Sequence, residues 1–180
     1  MKIKIKKLND QAVVPSQARE GDFCYDVCAT SCEEVEPGVW KYGLGLAFEI
    51  ERGWEHIGLG SLHTTLSKRK TGILKNREDG DLWIDFSDTN IKLSLDFRPR
   101  SSVWKTGLVL SNCTGTLDEL YRGEVMAFFY EVIPGKEKYK VGDRIGQIKL
   151  GMTLPLTFEV VDELNMNTER GEGGFGSTGK

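Results

Sequence analysis

This sequence predicts an all-β fold, and three observations carry the prediction. Short runs rich in β-branched, aromatic and aliphatic residues recur at residues 3–7, 39–50, 82–86, 91–97, 108–110, 125–132, 144–150 and 156–161. Glycine, proline, asparagine and aspartate stand between them. Few segments have helical period, and nothing repeats. Such a succession predicts an antiparallel sandwich or jelly roll, and 180 residues suit one domain with a proper core.

The first run alternates Lys2, Lys4 and Lys6 with Ile3, Ile5 and Leu8. That is the pattern of a half-buried strand. It lacks the apolar stretch of a signal peptide, so a cytoplasmic protein is expected. No apolar run reaches membrane-spanning length. A net charge of −3 and a pI near 5.5 argue against general nucleic-acid binding through a basic surface. An anionic ligand needs locally placed arginines or backbone amides instead.

Gly21 and Asp22 open a turn that leads into a strand through Tyr25, Asp26 and Val27. On a strand Asp26 points away from both neighbours. It is either an exposed strand carboxylate or one that faces a hydrated metal. Cys24, Cys28 and Cys32 would share one face of a strand. They lack paired metal spacing, and reduced, partly buried thiols are expected. Pro37-Gly38 is a turn, and 39–50 reads as one long strand or a pair broken at Gly43.

From 51 to about 90 the character changes. Lys68, Arg69, Lys70, Lys75 and Arg77 form a basic cluster ahead of Glu78 and Asp79. Residues 82–86 and 91–95 look like a hairpin. Pro99 cannot donate to a ladder, so a strand ends there or runs along an edge. Arg100, Ser101 and Ser102 follow, and a guanidinium beside two hydroxyls can grip phosphate oxygens.

Residues 107–110 and 125–130 flank a long polar turn, 112–124, and read as a hairpin around it. The turn brings a carboxylate, Asp118, close to a ring, Tyr121. Gly115 lets a ligand approach the backbone, whose N–H and C=O groups can read a flat polar ring. The alternative is a structural turn with a solvated aspartate. Farther on, Gln147 is a neutral donor between apolar neighbours. The tail, 170–179, is glycine-rich and carries one aromatic. Its backbone N–H groups and Arg170, Ser177 and Thr178 suit phosphate; Phe175 offers a stacking face. It should be mobile until a ligand orders it.

In this order the stretches resemble the five motifs of the trimeric dUTPases: residues 25–29, 99–102, 112–124, 142–147 and 170–179. The resemblance spans nearly the whole chain. It departs at Phe23 and Cys24, where the family usually has Ala-Gly, at Leu120, commonly Asp, and at Gly146, commonly Ala. It implies a jelly-roll (β-clip) subunit over 1–164, with an insertion at about 51–90 open to a protein partner. A flexible arm over 165–180 would close a neighbouring active site. It also implies a homotrimer with shared sites and Mg²⁺-dependent cleavage of dUTP to dUMP and pyrophosphate.

By the same resemblance Asp118 activates the attacking water, and Asp26 contacts the water shell of Mg²⁺ held by the triphosphate. Arg100, Ser101, Ser102 and Gln147 bind phosphate. Asn112, Gly115, Thr116 and Leu117 bind uracil, and Tyr121 packs on deoxyribose. Phe175 covers the base, while Arg170, Gly176, Ser177 and Thr178 close on the phosphates. Two rival readings stand beside this one. The first is a dCTP deaminase-like enzyme, with Glu124 as its base. The second is a regulatory role added through the inserted segment.

Overall fold

The computed structural model describes residues 2–57, 74–76, 82–85 and 90–169. The described strands run in order β1 (Lys2–Lys7), β2 (Tyr25–Cys28), β3 (Ser31–Glu36), β4 (Val39–Gly43) and β5 (Leu46–Glu51). Three short ones follow, β6 (Trp54–Ile57), β7 (Leu74–Asn76) and β8 (Leu82–Asp85). Then come β9 (Lys92–Pro99), β10 (Leu108–Leu110), β11 (Gly115–Asp118), β12 (Met126–Glu131) and β13 (Arg144–Thr153). The fold is all-β, as its sequence predicts. No helix among the described residues is long and apolar enough to cross a membrane.

Two four-stranded antiparallel sheets dominate, in the orders β10-β12-β4-β3 and β11-β9-β13-β2. Period-two alternation explains their burial. On β12, Ala127 and Phe129 turn inward while Met126, Phe128 and Tyr130 stay exposed. Inward residues of β2, β4, β5, β9, β12 and β13 meet in one core. At its centre the Tyr42 and Phe129 rings pack edge to face at 5.6 Å, and Tyr139 joins Tyr42 at 6.0 Å. Burying each such side chain contributes about 1.5–3 kcal/mol. Strand β1 pairs with β5, setting Ile3 and Ile5 against that core.

A 3-10 helix, Ser101–Thr106, follows β9 and ends at Gly107 with φ 68°. A side chain there would run into the carbonyl of Ile133, so glycine alone lets the chain turn into β10.

Of the two readings of 39–50, the pair holds: β4 ends at Gly43, and β4 and β5 lie in different sheets. Three sequence expectations need correcting. The hairpin expected from 82–86 and 91–95 does not form. Strand β8 pairs with β6 and β7 in a separate three-stranded sheet, while β9 pairs with β11 and β13. Adjacency in sequence favoured the hairpin; two better-matched neighbours on either side of β9 won. The run 156–161 forms no strand and finds no ladder partner among the described residues. The three cysteines do not share one strand, because the turn at Ala29-Thr30 puts Cys28 on β2 and Cys32 on β3.

Candidate active site

The flanks of the long turn pair as a hairpin, β10 with β12. Its middle does not stay in the loop. Residues Gly115–Asp118 leave as β11 and pair with β9, so Gly115 faces Phe97 and Asp118 faces Ser94. Strand β11 is the edge of its sheet. One row of its backbone N–H and C=O groups is therefore free to pair with something else. Beside that row opens a pocket of about 250 Å³ lined by Phe97, Asn112, Gly115–Asp118, Tyr121 and Phe128 among others. Asn112, Gly115, Thr116, Leu117, Asp118 and Tyr121, all expected in one site, are brought together here.

Local bonds set the turn. The Tyr121 N–H donates to the Asp118 carbonyl at 2.9 Å, and the Tyr121 hydroxyl donates to the Glu124 carbonyl at 2.9 Å. Gly123 gives the ring room, since a Cβ there would lie 2.6 Å from Tyr121 Cζ. The Glu124 carboxylate accepts from the Gly45 N–H at 2.8 Å. Glu124 also lines the pocket, so this bond anchors its carboxylate beside the site. Leu120, where the family commonly has Asp, is 84% exposed.

A second group forms at the far end of β9. Asp26 is only 6% exposed, which corrects the reading of it as an exposed strand carboxylate. It accepts from Gln147 Nε2 at 2.9 Å and Arg144 Nη1 at 3.0 Å, with Arg100 Nε at 3.4 Å. Register explains the meeting: Asp26 pairs with Gln147 across β2 and β13, and Pro99 pairs with Gly146 across β9 and β13. Arg100, Ser101 and Ser102 continue from that strand end. Two guanidiniums around one carboxylate leave a positive site with an amide in reach, which suits a polyphosphate. Sequence reasoning gave Arg144 no role of its own; its adjacency to Gln147 on β13 was the available signal.

The donor set also tests the fit of Mg²⁺. Both Asp26 oxygens already accept hydrogen bonds, and no cluster of three metal-ligating side chains occurs among the described residues. This fits an ion that arrives with phosphate oxygens and keeps its waters, Asp26 meeting it through water.

Pocket and cluster adjoin along β9, where Phe97 lines the pocket and the next residue, Arg98, pairs with Gln147. Their far members, Asp118 and Asp26, lie four residues apart along β9 and three strands apart across the sheet. Strand spacing makes that roughly 20 Å. Arg170, Phe175, Gly176, Ser177 and Thr178 lie outside the described residues.

One pair beside the site was not legible in the sequence. Arg52, just after β5, grips both carboxylate oxygens of Glu119, with Nη2 to Oε2 at 2.6 Å, and donates to the Ile91 carbonyl at 2.8 Å. Glu119 follows Asp118 directly, so the grip fixes the turn at its root. The Arg52 hydrogen bonds hold the Glu119 carboxyl below its ordinary value of 4.5, against burial. A depressed carboxyl adds stability above that value and loses it as pH falls through and below 4.5. R52M should therefore cost about 2 kcal/mol at pH 7. The penalty should shrink when urea unfolding is repeated near pH 4. R52K should not recover it, since one ammonium cannot replace a two-pronged guanidinium. An equal penalty at both pH values would contradict the account.

The fold and these two groups define a class: an all-β jelly roll with a backbone-lined pocket and a cationic cluster. A family model described as dUTPase matches residues 92–179. The deoxyuridine 5'-triphosphate nucleotidohydrolase of Nautilia profundicola is 31% identical over 182 residues, covering 100% of both chains. That of Clostridium novyi is 32% identical, covering 99% of each. The chain belongs to the dUTPase family. Among solved structures, a mutant dUTPase of Staphylococcus bacteriophage 80alpha with dUpNHpp matches with a TM-score of 0.67 at 19% identity, over 99% of each chain. A dUTPase from phage phi11 of S. aureus, described for its species-specific insert, matches with a TM-score of 0.57 at 15% identity. That match covers 92% of this chain and 99% of the other.

Proposed function

We propose that the protein hydrolyses dUTP to dUMP and pyrophosphate with Mg²⁺, as a homotrimer whose active sites are shared between subunits. The observation that carries this reading is the pocket at the free edge of β11, where Asn112, Gly115, Thr116, Leu117, Asp118 and Tyr121 converge. The span of roughly 20 Å between Asp118 and Asp26 of one chain supports a site completed by a second subunit. Exposed apolar surface supports the same conclusion. Val109 and Tyr130 pair as an exposed apolar stripe on β10 and β12 outside the pocket, and Leu154, Leu156, Phe158 and Val160 are all exposed.

The free backbone edge of β11 and Asn112 read the donor–acceptor pattern of uracil. A closely fitting edge leaves no room for a 5-methyl group and mismatches the amine of cytosine. Tyr121 packs against deoxyribose and bars a 2′-hydroxyl. Asp118 orients water and takes its proton as it attacks the α-phosphorus. Arg100, Ser101, Ser102 and Gln147 turn to the phosphate oxygens and stabilise the charge that develops there. Asp26 would meet the water shell of Mg²⁺ held by the triphosphate, an ion that would supply charge neutralisation there. Arg170, Phe175, Gly176, Ser177 and Thr178 close the site from a third subunit. Residues 51–90, rooted at Arg52 and Ile91, are an insertion into the jelly roll and a candidate surface for a protein partner.

Pyrophosphate release measured with dUTP, dTTP, dCTP and UTP tests the reading. Turnover should be confined to dUTP, and ammonia release from dCTP would point to a deaminase. Tyr121→Ala should raise kcat/KM for UTP relative to dUTP by about tenfold or more. An unchanged ratio would leave the ring a structural role only.

A further inference from the structure

We propose that Phe97 sets the depth of the base pocket and that Gly146 is the residue that positions it; this rests on reading that pocket as the base site. Phe97 is 3% exposed, yet it forms part of the pocket lining. It lies on β9 with a glycine on each neighbouring strand. Gly115 on β11 is its direct partner, and Gly146 on β13 sits diagonally from it beside a bulge. A Cβ on Gly146 would overlap ring atoms Cε2 and Cζ and lie 2.9 Å from the Arg98 carbonyl oxygen. A Cβ on Gly115 would lie 3.4 Å from Phe97 Cβ and 3.8 Å from Cδ1, ordinary contact. The ring thus rests on the bare backbone of Gly146 while its stem passes Gly115.

This geometry gives the glycine at 146 a reason that the motif alone does not. With a methyl at 146 the ring must leave β13. The side without a competing side chain is the one beside Gly115, and that side is the pocket. A one-carbon addition two strands away from the base would therefore fill the base site. Gly146 touches no proposed ligand atom; it acts through Phe97.

The test uses the full chain. It combines steady-state kinetics on dUTP, equilibrium binding of a non-hydrolysable dUTP analogue, thermal melting and size exclusion. G146A should raise KM and Kd together by about tenfold while kcat stays within about twofold. In F97L/G146A the shorter side chain removes the overlap, and KM should return to within about threefold of the unaltered protein. A merely structural glycine predicts lower melting with unchanged KM in the folded fraction, which would overturn the proposal. Should G146A fail to fold, F97L alone decides. A KM shift of about fivefold with kcat kept supports the proposal, and an unchanged KM overturns it. Failure of the unaltered protein to bind or hydrolyse dUTP would instead strike the reading of the pocket itself. The two failures are thus told apart by the unaltered control.

Discussion

Asp118→Asn should keep fold, assembly and nucleotide binding while cutting kcat by about 10³-fold, the range of a lost general base. The structure makes this substitution clean. Asp118 ends β11 with its side chain exposed, and its carboxylate takes no hydrogen bond or ion pair from a described residue. What holds the turn is its carbonyl, which accepts the Tyr121 N–H and survives the change. Melting temperature and analogue binding should therefore match the unaltered protein. A kcat within about tenfold of normal would remove Asp118 from the role of base. A lower melting temperature would mean that the carboxylate supports the turn instead.

Much of this was legible in the sequence where the signal is local. Alternation in β1 gave its buried face, Pro99 marked the end of β9, and turn formers marked 112–124. The adjacency of Asp118 and Tyr121 needed no structure. What failed was pairing, which depends on partners far along the chain. Residues 82–86 and 91–95 each have strand composition, but composition does not choose a neighbour, and β9 took β11 and β13. The Arg52–Glu119 grip joins residues 67 positions apart, and neither end stands in a telling pattern. The burial of Asp26 was equally hidden, because it arises from Arg144, Gln147 and Arg100 closing over it from β13 and the end of β9. Gly146 was visible only as a departure from a motif; the ring of Phe97 gives that departure a physical cause.

Two truncations should separate assembly from closure. Ending the chain after Glu169 removes Arg170, Phe175, Ser177 and Thr178, which serve only the bound nucleotide in the proposed mechanism. Loss of several charge-assisted hydrogen bonds should lower kcat/KM for dUTP by about 10³-fold, with the oligomer intact. Ending it after Thr153, at the close of β13, removes a different kind of residue. Residues 154–161 carry apolar side chains at 154, 156, 158 and 160, with threonine and glutamate among those between. That is a strand pattern, yet the segment finds no ladder partner among the described residues of its own chain. Phe158 is 89% exposed and Leu156 73%. A strand-like segment that buries nothing at home gains most by adding to a neighbouring subunit. The shorter truncation should therefore run at the trimer position in size exclusion with light scattering, and the longer one as monomer or aggregate. An intact trimer ending at Thr153 would show that the stripe on β10 and β12 suffices for assembly. A dissociated protein ending at Glu169 would move the last eleven residues from closure to assembly.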